Sequence, residues 1–241
     1  MVLPLYLAMT AAEISAAPSP TFPCAYMACH FSPYGTGLAG IPDVLPEKAM
    51  LILNDRMACA GHSPDLVAGQ LADAVSRLSC ESVLLDFQRP PEPESVAMVT
   101  TILKKLPCPA AVTEGFAQPL DCPVFLSPAP LHIPSEQHIA PWRGRDIWLE
   151  AALCQEEVQI TEKGMTHHPV FPTQQLEGGF YEEALRCCYR TQITGDSIDF
   201  TLFDTPESLE KKLELAAELG VSRAVGLWQE LGTFPTGKSS A

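Results

Sequence analysis

The chain has 241 residues, 46% of them apolar, with 29 acidic side chains against 15 basic ones and a net charge of −14. That length holds one large domain or two small ones with a sizeable core. The acidity argues against a nucleic-acid partner and against an anionic membrane surface, both of which want a basic face; its simplest meaning is solubility.

The first predicted strand covers residues 3–9. The surrounding stretch MVLPLYLAMTAAEISAAPSP superficially resembles a secretion signal, but the first basic residue of the chain is Lys48, and Pro4 and Glu13 break the apolar run. No segment approaches the length of a membrane span, so a cytoplasmic, reduced protein is the expectation. A second strand at 26–31 leads into YGTGLAG, where Gly35, Gly37 and Gly40 match GxGxxG. A dinucleotide site needs that turn to open a helix. Pro42 and Pro46 stand in the way, so the stretch reads as a glycine-rich loop. A strand at 50–53 precedes Ser63-Pro64, a helix start followed by the stripe Val67, Leu71, Ala74 and Leu78. SVLLDFQRPPEPES begins with a strand at 82–87 and opens a helix at Pro93-Glu94, with Val96, Val99, Leu103 and Leu106 facing inward. Strands follow at 110–113, 124–126 and 147–153. The rhythm then breaks over about 164–204, which contains a predicted hairpin turning at Gly195-Asp196. Thr205-Pro206 opens a helix with the stripe Leu209, Leu213, Ala216 and Leu219, stopped by Gly220. A strand at 224–228 closes the set, and the tail TGKSSA reads as disordered over 236–241.

Continuous apolar runs suit strands covered on both faces, as in a parallel sheet. Eight of them, alternating with helices, predict a (β/α)8 TIM-type barrel spanning 1–235, with a small α+β insertion at about 164–204; a doubly wound sheet is the alternative. Nine cysteines without a CxxC pair are not a disulfide framework. Cys187-Cys188 and His167-His168 are adjacent pairs with no third ligand at a familiar spacing, so neither a metal nor a cofactor is expected.

In such a barrel, functional side chains sit at the C-terminal ends of the strands. The polar residues there are Tyr34, Asn54, Asp55, Asp86, Gln88, Glu114, Glu150, Gln229 and Glu230, with Trp228 at the last strand end. An aromatic platform among acids and amides suits a sugar ring, whose apolar face stacks while its hydroxyls bond. A barrel mouth is also polar simply because it is wet.

FDTPESLEKKLELAAELGVSRAVGLWQELG, residues 203–232, resembles the closing helix and strand of family 18 glycoside hydrolases, the chitinase-like barrels. SVLLDFQ resembles their fourth strand, whose signature is DxxDxDxE. HFSPYGTG, residues 30–37, is similar to a second-strand end in the branch that trims bacterial spore peptidoglycan, which points to a spore-forming host. The resemblance implies a substrate-assisted glycosidase site in which the signature Glu is the general acid and the Asp two residues earlier orients the acetamido nucleophile. By that implication Asp86 keeps the orienting position and Trp228 the floor of the sugar site. Gln88 stands at the position of the acid, and Glu81 and Leu84 at the two earlier Asp positions. The family's Met-x-Tyr-Asp is absent; LSPAP, residues 126–130, stands in its place.

An amide has no proton to give a leaving alkoxide, yet it keeps nearly the shape of Glu and both donates and accepts hydrogen bonds. The expectation is therefore a catalytically inactive barrel binding an N-acetyl-sugar glycan or peptidoglycan fragment through Tyr34, Asp55, Asp86, Gln88, Glu114, Glu150, Trp228 and Glu230. Two alternatives stay open: a glycosidase using Glu114, Glu150 and Asp86, and a structural or interaction protein that retains only the barrel.

Overall fold

The computed structural model describes residues 3–17, 23–128, 133–170, 176 and 178–232; the predicted tail at 236–241 and two residues of LSPAP lie outside them. In chain order the first half runs β1 (Leu5–Met9), α1 (Ala11–Ala16), β2 (Cys24–Phe31), β3 (Leu38–Ala39), β4 (Met50–Asn54), α2 (Pro64–Leu78), β5 (Ser82–Asp86), α3 (Pro93–Lys105), β6 (Ala110–Thr113) and α4 (Glu114–Ala117). The second half runs β7 (Val124–Leu126), α5 (Glu136–Ile139), β8 (Ile147–Glu150), β9 (Gln155–Thr161), β10 (Gly164–Pro169), β11 (Phe180–Glu182), β12 (Cys187–Thr194), β13 (Ser197–Phe203), α6 (Pro206–Glu218), β14 (Val221–Leu227) and α7 (Trp228–Leu231).

Eight strands pair in parallel in the order β1-β14-β8-β7-β6-β5-β4-β2, and β2 pairs with β1 to close the ring. This is the predicted (β/α)8 barrel. β3 adds a short antiparallel edge to β2. The strands read as unbroken apolar runs because both of their faces are covered. Tyr6, Ala8, Ala25, Met50, Ile52, Leu84, Ala111, Phe125, Trp148 and Val225 point inward and fill the barrel. Their alternates, among them Leu5, Leu7, Leu51, Leu53, Val83 and Leu85, pack against the helices in the larger outer core. Trp148 is fully buried, with its indole N–H donating to Asp146 at 3.1 Å and the Arg223 guanidinium 4.8 Å from its ring centre. The barrel floor is thus plugged, and free space remains toward the C-terminal strand ends.

The three predicted helices form where the stripes place them. Ser63 occupies the cap position of α2, but its hydroxyl makes no capping bond; the helix start rests on Pro64 in the first turn. Thr205 does cap α6, accepting from Ser208 N at 3.3 Å. The stripe of α6 differs from the expectation: Lys212 is buried beside Leu209 and Ala216.

Between β8 and α6 the chain leaves the barrel and builds a five-stranded antiparallel sheet, β10-β9-β13-β12-β11. Its first strand starts at Gln155 and its last ends at Phe203, so it begins before residue 164, where the break in the sequence rhythm becomes visible. The predicted hairpin is β12–β13, turning at Gly195 with φ 59°. One face carries Val158, Ile160, Ile198, Phe200 and Leu202; Met165, Ile160, Ile198 and Ile193 lie side by side across four strands and are exposed. Asp204 ties the sheet to the barrel. It accepts from Cys154 N (2.7 Å), the Ser208 hydroxyl (2.8 Å) and the Lys212 ammonium (2.7 Å), and its own N–H donates to Cys154 O at 2.9 Å. A buried carboxylate needs this many donors to offset its lost hydration.

All nine cysteines are free thiols. His167 and His168 fall on opposite faces of β10, and His167 bonds Glu156 at 2.6 Å. Among the described residues no cluster of three His, Cys, Asp or Glu side chains could hold a metal ion, and no helix is long and apolar enough to cross a membrane.

Candidate functional site

A cavity of about 310 Å³ opens at the C-terminal mouth, lined by Ala8, Met27, Ile52, Asn54, Asp55, Arg56, Leu84, Asp86, Gln88, Phe125, Glu150, Val225, Gly226 and Leu227. Strand alternation decides its composition. On β5, Leu84 and Asp86 point inward while Phe87 turns outward, where its ring meets Phe31 at 5.7 Å and Phe116 at 5.5 Å. Gln88, just past the strand, returns to the cavity side. On β8, Trp148 and Glu150 share the inward face by the same alternation.

The tip of β5 is pinned by its neighbour. Asp55, only 5% exposed, accepts the backbone N–H of Gln88 and of Arg89, each at 2.9 Å, and Arg89 Nε donates to Asp55 O at 3.0 Å. Thr113 adds a bond to Phe87 O at 2.6 Å. Asp55, expected as a ligand contact, therefore spends both carboxylate oxygens on backbone and acts by placing Gln88. Asn54 is likewise structural: its amide donates to Met27 O (3.1 Å) and Cys29 O (3.0 Å), spanning the irregularity in β2 between Tyr26 and Cys29.

Gln88 Nε2 donates to Asp86 Oδ1 at 2.5 Å. Burial raises the Asp86 pKa above the ordinary carboxylate value; the Gln88 bond offsets part of that rise, and the Asp55 charge adds to it. Glu150 is displaced further, up to about 7, first by burial, then by Asp86 and then by Glu230. Like charges sharing a poorly hydrated cavity disfavour ionisation of both. The site thus contains an amide-bonded carboxylate and a second carboxyl that titrates near neutrality.

Four expected contacts fall elsewhere. Tyr34 is 99% exposed on the loop after β2. Glu114 begins α4 and pairs with His138 at 3.6 Å. Trp228 begins α7, and its ring packs on the outer core; Leu227 lines the cavity instead. One residue decides this: β14 ends at Leu227, with Val225 inward, so the indole lies on the wrong parity. Glu230 accepts from Leu153 N at 3.3 Å and reaches the cavity only through its field on Glu150. Arg56 lines the cavity and is not among the expected contacts; its only sequence signal is its place one residue beyond Asn54-Asp55 at a strand tip.

No family model matches the chain, and no curated protein matches it. Solved structures do match. The chitinase of Cycas revoluta, in a variant with one Gly replaced by Trp and one Glu by Gln and in complex with (GlcNAc)4, superposes with a TM-score of 0.58 at 10% identity, over 95% of this chain and 96% of that one. The fold is that of the family 18 glycoside hydrolases. An N-acetylglucosaminidase of that family from Paenibacillus barengoltzii matches with a TM-score of 0.57 at 9% identity, over 93% of this chain and 94% of that one. The spore cortex-lytic enzyme SleL of Bacillus cereus matches with a TM-score of 0.55 at 11% identity, over 93% and 70%. The resemblance of three short segments to this family thus pointed to the barrel that is found, at an identity too low for whole-chain sequence matching.

Proposed function

We propose that this chain is a catalytically silent family 18-like barrel that holds an N-acetyl-sugar glycan, or a peptidoglycan fragment, at its C-terminal mouth. The observation that carries the reading is Gln88. Its amide lies on Asp86, where the family resemblance puts the proton donor beside the orienting acid. An amide cannot protonate a leaving oxygen, and a positioned acid supplies roughly two to four orders of magnitude in rate. Binding is a different matter. Asp86 Oδ2 has no partner among the described residues, so it is open to an acetamido N–H, while the Gln88 carbonyl accepts from a hydroxyl. Ala8, Met27, Leu84, Phe125 and Leu227 offer the apolar wall against which a sugar ring rests. A barrel of this fold bearing a Glu-to-Gln change has been crystallised with a GlcNAc tetramer, which supports retention of a glycan without the acid.

The test pairs turnover with binding. Wild-type protein should bind GlcNAc oligomers by calorimetry and release no reducing ends from chitin oligosaccharides or peptidoglycan. Gln88→Glu should then produce measurable hydrolysis. Clear turnover by the wild type would overturn the reading.

One observation favours a second reading, an active glycosidase. Glu150 holds its proton up to about 7 and shares the cavity with Asp86, as a general acid and its partner carboxylate would. Glu114, bound to His138, gives that reading no support. Here wild-type turnover would be present and lost in Glu150→Gln, with an alkaline limb near pH 7.

A further inference from the structure

We propose that Arg56 reads a carboxylate on the ligand, so that the mouth prefers an acidic N-acetyl sugar, one carrying a lactyl-ether or uronic carboxylate, over a neutral one. This rests on the glycan-binding reading above. Among the described residues, Arg56 is the one cation that lines the cavity. Its backbone is held on both sides: its N–H donates to Asn54 Oδ1 at 3.2 Å, and its carbonyl accepts from Arg89 Nη2 at 3.2 Å. Asn54 is in turn clamped to β2. The side chain therefore extends from a fixed base.

Its guanidinium, by contrast, meets no acceptor and no ring among the described residues. The other arginines of the barrel are engaged: Arg77 with Pro42 O and Asp43 O, Arg89 with Asp55 O, Arg143 with Glu136, Arg145 with Ala117 O and Leu120 O, and Arg223 with Glu81 and Trp148. In a chain with 29 acidic and 15 basic residues, a cavity-lining guanidinium without a carboxylate is not a matter of short supply. The adjacent acid, Asp55, is already committed to backbone.

Five N–H donors in a planar fork match a carboxylate in a way that sugar hydroxyls do not. Asp86 sets the orientation, joined by Glu150 once it ionises above about pH 7, because a carboxylate repels an anion from its side of the cavity and leaves the β4 side for it. The same repulsion favours a singly charged carboxylate over a phosphate dianion, which would face about twice as much of it.

The experiment is calorimetry at low salt with three probes: a GlcNAc disaccharide whose second sugar carries a lactyl carboxylate, the methyl ester of that disaccharide, and neutral chitin oligomers. Wild-type protein should bind the acid about tenfold more tightly than its ester, the scale of one partly exposed charge-assisted contact. Arg56→Gln should erase that preference and leave ester binding within about twofold. Equal affinities for acid and ester in the wild type overturn the proposal, as does an Arg56→Gln variant that weakens both alike. If neutral oligomers bind and the acid gains nothing, the carboxylate preference alone falls. If no probe binds, the glycan-binding reading falls with it.

Discussion

Replacing Glu150 by Gln should stabilise the protein above neutral pH and do little at pH 4.5. The folded-state pKa stands at about 7 against an ordinary 4.5, raised first by burial, then by Asp86, then by Glu230. At pH 4.5 and below, the carboxyl holds its proton in both states to a large extent, and its burial is cheap. Between 4.5 and 7 the unfolded chain releases the proton while the folded chain keeps it. Folding then binds a proton, and stability falls as pH rises. Above 7 both states are ionised and the full penalty persists. Each tenfold change in proton affinity is worth about 1.4 kcal/mol, which sets a ceiling of about 3 kcal/mol; partial access of water to the mouth reduces this to about 2 kcal/mol. Gln keeps the shape and the polarity but cannot ionise. Urea unfolding followed by tryptophan fluorescence at pH 4.5, 6 and 8 measures the effect, read as the midpoint shift at constant slope. The expected result is a variant that matches the wild type at pH 4.5 and exceeds it by about 2 kcal/mol at pH 8. A difference independent of pH, or a variant less stable at pH 8, would refute the argument that burial holds the Glu150 proton.

Asp55→Ala should cost about 2–5 kcal/mol, because it strands the N–H groups of Gln88 and Arg89; chemical unfolding measures the loss, and glycan affinity should fall with it as the β5 tip loosens. Lys212→Met leaves the Asp204 carboxylate buried without its ammonium and should cost about 3–5 kcal/mol in the same assay. Trp228→Ala should cost about 2–3 kcal/mol of packing and leave the affinity for GlcNAc oligomers within twofold; a large loss of affinity would return the indole to the sugar site.

The barrel was legible because its strands are covered on both faces. MLILN and SVLLD carry no alternation to hide their length, and helix starts at Ser63-Pro64, Pro93 and Thr205-Pro206 separate them. The start of the insertion was not legible. QEEVQIT in β9 is short of apolar residues, and its partner β13 lies some forty residues on, with pairings such as Gln159 with Asp199. Nothing local declares a strand whose only reason to be extended is a distant one. Lys212 was hidden for the same kind of reason. A lysine on a helix reads as solvated, and only the return of Asp204 beneath α6 makes its burial tolerable.

At the site, legibility stopped at parity. Asp86 and Gln88, two apart, share a side, because alternation within one strand is a local property. Glu150 shares the inward face with Trp148 by the same rule. Trp228 required knowing where β14 ends relative to the barrel interior, and a shift of one position exchanges an indole for Leu227. Asp55 required more still. Its carboxylate is committed to backbone because the neighbouring strand tip arrives with two N–H groups in need of acceptors, and those groups belong to Gln88 and Arg89. The acid at one strand end therefore fixes the backbone of the amide at the next. A single change at residue 88 leaves that backbone anchor in place, and so Gln88→Glu is expected to introduce a carboxyl into the existing geometry rather than into a rearranged loop.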